Sequence, residues 1–128
     1  MDRDEDSARM DYRLRVRHEP GHTRLTITGR PSFDELLALF NVIGVQSEGW
    51  PGDSLLLDLR GVTSRYPPEE EYRVGEEIVL SLAHLRRIAS VVPTDRITRL
   101  SERAARRNRV DLRVFDDEAQ ALAWLLAP

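Results

Sequence analysis

Asp58 is the carboxylate in this sequence most open to a chemical role, because it interrupts the aliphatic run Leu55-Leu56-Leu57-Asp58-Leu59. A strand this apolar is read as buried on both faces, and open parallel sheets bind ligands beyond the carboxyl ends of such strands. No second carboxylate or histidine can be placed beside Asp58 from spacing alone, so an acid–base pair is not supported. The alternative is a carboxylate that accepts amide hydrogen bonds from the loop at Gly61-Val62-Thr63. His18 and His22 flank the turn dipeptide Pro20-Gly21 and have no partner at a metal-ligand spacing. His84 follows a helical pattern, where a cation complements the helix C-terminus.

The strongest charge feature is basic. Arg96, Arg99, Arg103 and Arg106 recur at three- and four-residue spacing, with Arg107 and Arg109 beside them. On a helix they form a stripe that suits phosphate, anionic lipid or an acidic partner, or else a solvated face. The acidic run Glu69-Glu70-Glu71, with Glu76 and Glu77, is its complement within one molecule or between two. Trp50, in the loop Glu48-Gly49-Trp50-Pro51-Gly52, either folds back onto the core or anchors an interface.

Composition narrows the chemistry. The chain has 128 residues, no cysteine, and arginine for all 19 of its basic residues. Thiolate catalysis, cysteine-ligated metals, Schiff-base lysines and P-loop lysines are excluded together. Glycine-rich phosphate loops and nucleophile elbows are also missing. No cofactor and no catalytic activity are expected. A net charge of −3 and a basic stretch without interleaved aromatics argue against nucleic acid. No apolar run approaches the roughly 20 residues of a spanning helix, so integral membrane association is not expected. The acidic start is unlike a signal peptide, which makes the cytoplasm the expected location.

The elements that must position these residues follow from hydrophobic period. Residues 1–10 are polar and acidic and are read as a mobile tail, with one domain over 11–128. Tyr12, Leu14 and Val16 alternate, then Leu25 and Ile27 after Pro20-Gly21, which predicts a hairpin with one wet face. Ser32 and Glu35 form a capping box for a helix carrying Phe33, Leu36, Leu37 and Phe40 inward and ended by Gly44. Residues 54–60 are the central strand. Pro68 opens a second helix with Val74, Ile78 and Leu82 inward. Residues 87–92 form a fourth strand, and a third helix is capped by Thr94 or Asp95. Residues 110–115 form a fifth strand, and Asp116 caps the last helix. The order β-β-α-β-α-β-α-β-α predicts an α/β fold: a mostly parallel, mixed five-stranded sheet with helices packed on it.

That order, the strand from Leu55 to Val62 and the ending Val114-Phe115-Asp116-Asp117 with Ala121-Leu122-Ala123-Trp124-Leu125 resemble the STAS superfamily, within it the SpoIIAA-like group of small bacterial proteins. The resemblance runs from Tyr12 to Leu126. It implies a non-enzymatic regulatory or protein-interaction module. Anti-sigma-factor antagonists of this superfamily carry a phosphorylatable serine at the start of the helix after the central strand. The matching segment here is Tyr66-Pro67-Pro68, with Thr63 and Ser64 earlier in the loop, so the resemblance implies a member without the usual phospho-switch. The expected surface comprises Trp50, Asp58, Thr63, Ser64, Tyr66 and Tyr72, facing a protein partner or a second copy in a homodimer. The alternative is a carrier of a small apolar or lipid-like ligand, held between the sheet and the first two helices.

Overall fold

The computed structural model describes residues 11–128; the segment 1–10, read above as a mobile tail, lies outside the described residues. Strands β1 (Tyr12–Glu19) and β2 (His22–Gly29) form the expected hairpin, and β3 (Ser54–Val62), β4 (Arg87–Val91) and β5 (Leu112–Phe115) complete the sheet. The strand order is β1-β2-β3-β4-β5, antiparallel between β1 and β2 and parallel thereafter. Four helices follow the predicted alternation: α1 (Phe33–Gln46), α2 (Pro68–Ser81), α3 (Leu100–Arg107) and α4 (Glu118–Leu125). The mixed five-stranded α/β architecture is therefore as the sequence indicates.

Alternation along the strands divides the apolar side chains between two faces. Leu25, Ile27, Leu55, Leu57, Ile88, Leu112 and Val114 meet Leu36, Phe40 and Ile43 of α1, Ile78 and Val79 of α2, and Ala104 and Ala105 of α3. On the other face Leu56, Ala89 and Val91 meet Ala121 and Leu125 of α4. Burial of these aliphatic groups, worth about 1.5–3 kcal/mol for each large side chain, is what fixes three helices on one face and one on the other.

The structure corrects several local expectations. Gly44 does not end α1, which continues to Gln46. A Cβ there would lie 2.7 Å from the backbone oxygen of Ser81, so Gly44 lets α1 and α2 cross closely. Gly75 plays the same part between α2 and α3, where a Cβ would lie 3.0 Å from Ser101 Cα. The last helix is capped by Asp117, not Asp116: its carboxylate accepts from the Gln120 amide at 2.9 Å. Leu14 and Val16 share the face of α1 but remain 38% and 37% exposed, because α1 does not reach across the outer strand. His84 does not cap a helix. Ser47 Oγ donates to Gly44 O, so its one proton is used and the His84 Nε2 at 2.8 Å acts as donor to it.

Helix α3 differs most. Thr94–Arg96 is a single 3₁₀ turn, and the α-helix begins only at Leu100. Arg96 reaches back to the carbonyls of Val62 and Ser64, while Arg99 adopts a left-handed φ of 62° and donates to Val114 O and Glu102. These two anchors hold residues 97–99 out of helical geometry. The four-arginine stripe is consequently broken: Arg96 and Arg99 are bound into the fold, and Arg103 and Arg106 alone of the four are exposed helical positions.

Candidate functional site

Strand β3 is nine residues long and separates the sequence-predicted site residues into two groups. Trp50 precedes the strand, whereas Thr63, Ser64, Tyr66 and Tyr72 follow it, so roughly 26 Å of extended chain lies between them at about 3.3 Å per residue. Trp50 is half-buried and packs on the main core, with its ring edge-on to His18 at 6.1 Å between centroids. It belongs to the opposite end of the sheet from the loop it was expected to support.

The segment after β3 is a fixed ledge. The Thr63 amide donates to Gly29 O at 2.8 Å, and Ser64 Oγ and Tyr66 Oη both donate to Pro31 O, at 2.9 and 2.6 Å. Arg96 adds two charge-assisted bonds to the carbonyls of Val62 and Ser64 from below. Burial raises the Tyr66 phenol above its ordinary range, against the smaller lowering effect of the neighbouring Ser64 hydroxyl and the Arg96 charge. Pro67 caps α2 with no side-chain bond, and Pro68 fills its first turn. A hydroxyl is absent from the cap position itself. A shallow groove lined by Arg30, Arg65, Glu70 and Asp11 runs between this ledge and the start of α1, and Arg65 itself pairs with Asp95 at 3.6 Å. Tyr72, on the second turn of α2, is half-buried, and its hydroxyl has no hydrogen-bond partner among the described residues.

Asp58 serves neither that ledge nor the loop amides. It is 8% exposed and faces α4, where Oδ1 accepts from the Arg60 amide at 3.1 Å and from Arg60 Nε at 3.0 Å. Arg60 Nη2 bridges Asp58 Oδ2 at 2.9 Å and Glu118 at 2.6 Å, and Arg24 joins the same two carboxylates from β2. Burial alone would raise the Asp58 pKa, but the Arg60 bonds and the two guanidinium charges outweigh it and hold the carboxyl below its ordinary value. Glu118 is depressed in the same way by Arg24 and Arg60. The cluster pins the first turn of α4 to two strands. Arg24, Arg60 and Glu118 were not singled out from the sequence; the one available signal was the two-residue offset from Asp58 to Arg60, which places both on one face of a strand.

Beneath the ledge lies an apolar cavity of about 120 Å³, beyond the carboxyl ends of β3, β4 and β5. Leu59, Val62, Ser90 and Val114 form its sheet wall, Leu36 and Phe40 come from α1, and Val74, Gly75 and Ile78 from α2, with Tyr66, Arg96 and Thr98 also lining it. Phe33 and Leu37, expected to line such a space, do not. Among the described residues no group of three His, Asp or Glu side chains is placed to hold a metal ion. No helix among them is long and apolar enough to cross a membrane.

No protein-family model and no curated protein matches the sequence. Among solved structures, an anti-sigma factor antagonist from Mycobacterium paratuberculosis superposes with a TM-score of 0.61 at 15% identity, over 89% of this chain and 93% of that one. An uncharacterised protein with a SpoIIAA-like fold from Shewanella loihica is similar at a TM-score of 0.49 and 15% identity, over the same shares of the two chains. On the first of these, and on the strand order and helix placement above, the chain shares the fold of that antagonist's structure.

Proposed function

We propose that this protein is a non-enzymatic regulatory module that binds a protein partner through the ledge at residues 61–72, without a phosphoserine switch at the start of α2. The observation that carries the reading is Pro67-Pro68 at the cap of α2 in a fold shared with an anti-sigma factor antagonist. Proline offers no hydroxyl for a kinase. The nearby Ser64 hydroxyl is committed to Pro31 O, and a phosphate there would break that bond. Preorganisation supports a binding role, since a ledge held by four separate anchors loses little conformational freedom when a partner docks. Thr63 and Arg65 are exposed on it, and Arg30, Arg65 and Glu70 give it a mixed charge pattern suited to selecting one partner. The test is partner binding by Arg65→Glu and Tyr66→Ala variants: loss of binding with the fold retained supports the surface, and unchanged binding removes it.

A second reading is favoured by the cavity. Its 120 Å³ is somewhat smaller than the engineered cavity of about 150 Å³ that admits benzene in another protein. The space suits a small apolar group, not a whole acyl chain, so a lipid would enter only by one end. Binding of a small aromatic probe, followed at the methyls of Val74, Ile78 and Val114, tests it.

A further inference from the structure

Strand β5 lies at the edge of the described sheet and pairs there only with β4. Ile88 donates to Asp111 O and Val92 to Phe115 O, so residues 111, 113 and 115 turn their backbone groups toward β4. Leu112 and Val114 therefore present theirs to the outer edge. A bare edge of this kind is a template for another strand.

Side chains of α3 occupy half of that template. The Val114 amide donates to Glu102 Oε2 at 2.7 Å, and Arg99 Nη1 donates to Val114 O at 3.0 Å. The same Nη1 donates to the same Oε2 at 2.9 Å, which closes a ring of three hydrogen bonds. One acceptor for the amide and one donor for the carbonyl are what a neighbouring strand would bring to Val114. Two features set this ring apart from an ordinary surface ion pair. The Glu102 side chain is only 16% exposed. Arg99 is aimed at β5 by a left-handed φ of 62°, which a residue with a Cβ adopts rarely and at a cost.

We propose that Arg99 and Glu102 form a latch that keeps the β5 edge closed to strand pairing with a second copy of the chain. Only two residues of β5 face outward, so with Val114 taken no ladder longer than one rung can form. With the latch removed, a second copy fits. Antiparallel pairing centred on Val114 sets Arg113 against Phe115, whereas a register centred on Arg113 would oppose two arginines, which destabilises a ladder. The favoured register is thus the one that needs the Val114 amide and carbonyl, the two groups that the latch holds. The proposal rests on these hydrogen bonds and is independent of the ledge and its partner.

Amide hydrogen exchange at Val114, with sedimentation at low and high protein concentration, tests it on the full-length chain. The variant that clears the edge is Arg99→Gly with Glu102→Ala, since glycine keeps the left-handed backbone without strain. In dilute solution its Val114 amide should exchange about tenfold faster than in the wild type, the equivalent of one lost hydrogen bond. At high concentration that amide should be protected again and a dimer should sediment. The wild type and Glu102→Gln, whose amide oxygen still accepts from Val114, should show neither change. Glu102→Ala alone carries the same test if the double variant does not fold. Exchange at Val114 that does not slow with concentration in the opened variant overturns the proposal. So does a wild type in which it slows as much.

Discussion

The hydroxyls of Ser64 and Tyr66 converge on one atom, the carbonyl oxygen of Pro31, at 2.9 and 2.6 Å. That shared acceptor ties the segment after the central strand to the entry of α1, and both lone pairs of the oxygen are used. Replacing Tyr66 with Phe removes one donor and is expected to cost about 1 kcal/mol. The Tyr66→Phe, Ser64→Ala double variant should lose more than the two single losses together, since only then is the carbonyl left without either donor. Denaturant unfolding of the four proteins measures this, and strict additivity would show that the two bonds act separately.

Acid should unfold the protein through the Asp58 cluster. Asp58 and Glu118 titrate below their ordinary values of 3.8 and 4.5 when folded. The unfolded chain therefore binds protons more readily than the native one, and stability rises with pH across this interval. The stabilisation is complete above about pH 5.5 and is lost as the pH falls below 4.5 through the depressed native values. Asp58→Asn should cost about 2 kcal/mol near neutrality and flatten the acid limb of a stability–pH curve. An acid limb of unchanged slope in that variant would place the titrating groups elsewhere.

Gly44→Ala separates helix propensity from packing. In an open helix the change gains about 1 kcal/mol. Here the new Cβ would stand 2.7 Å from a backbone oxygen of α2, and a main-chain atom cannot step aside as a flexible side chain does. Overpacking of this kind costs about 1–3 kcal/mol, so the net effect should be destabilising. A thermal midpoint above that of the wild type would mean that α1 and α2 separate easily.

Cavity occupancy has its own signature. A small aromatic probe that enters the space beneath the ledge should raise the unfolding midpoint with concentration, because only the native state binds it. Filling the space by Ser90→Leu should abolish that rise. If the probe stabilises both proteins alike, it binds elsewhere.

The sheet order and helix alternation were legible because the hydrophobic period changes cleanly between two and 3.6 along the chain. The Ser32–Glu35 capping box was legible for the same local reason, and both of its bonds are present. What escaped depends on pairs brought together by the fold. Arg60 joins Asp58 to Glu118 only once α4 crosses β3, and the start of α3 is set by carbonyls of Val62 and Ser64, more than 30 residues earlier. Gly44 reads as a helix stop from sequence because glycine so often ends helices; only the neighbouring Ser81 shows that closeness is the reason it stands there. The distance of Trp50 from Tyr66 was implicit in their positions before and after one strand.

A protein-binding module with proline at the cap of α2 needs no phosphate. Native mass spectrometry of the protein drawn gently from its own cells, before and after phosphatase treatment, tests it most directly. A stoichiometric protein partner is expected to be retained equally in both samples and lost with Arg65→Glu. A phosphate on Thr63 or Ser64 whose removal changes partner binding would contradict it, as would a protein carrying only a small ligand.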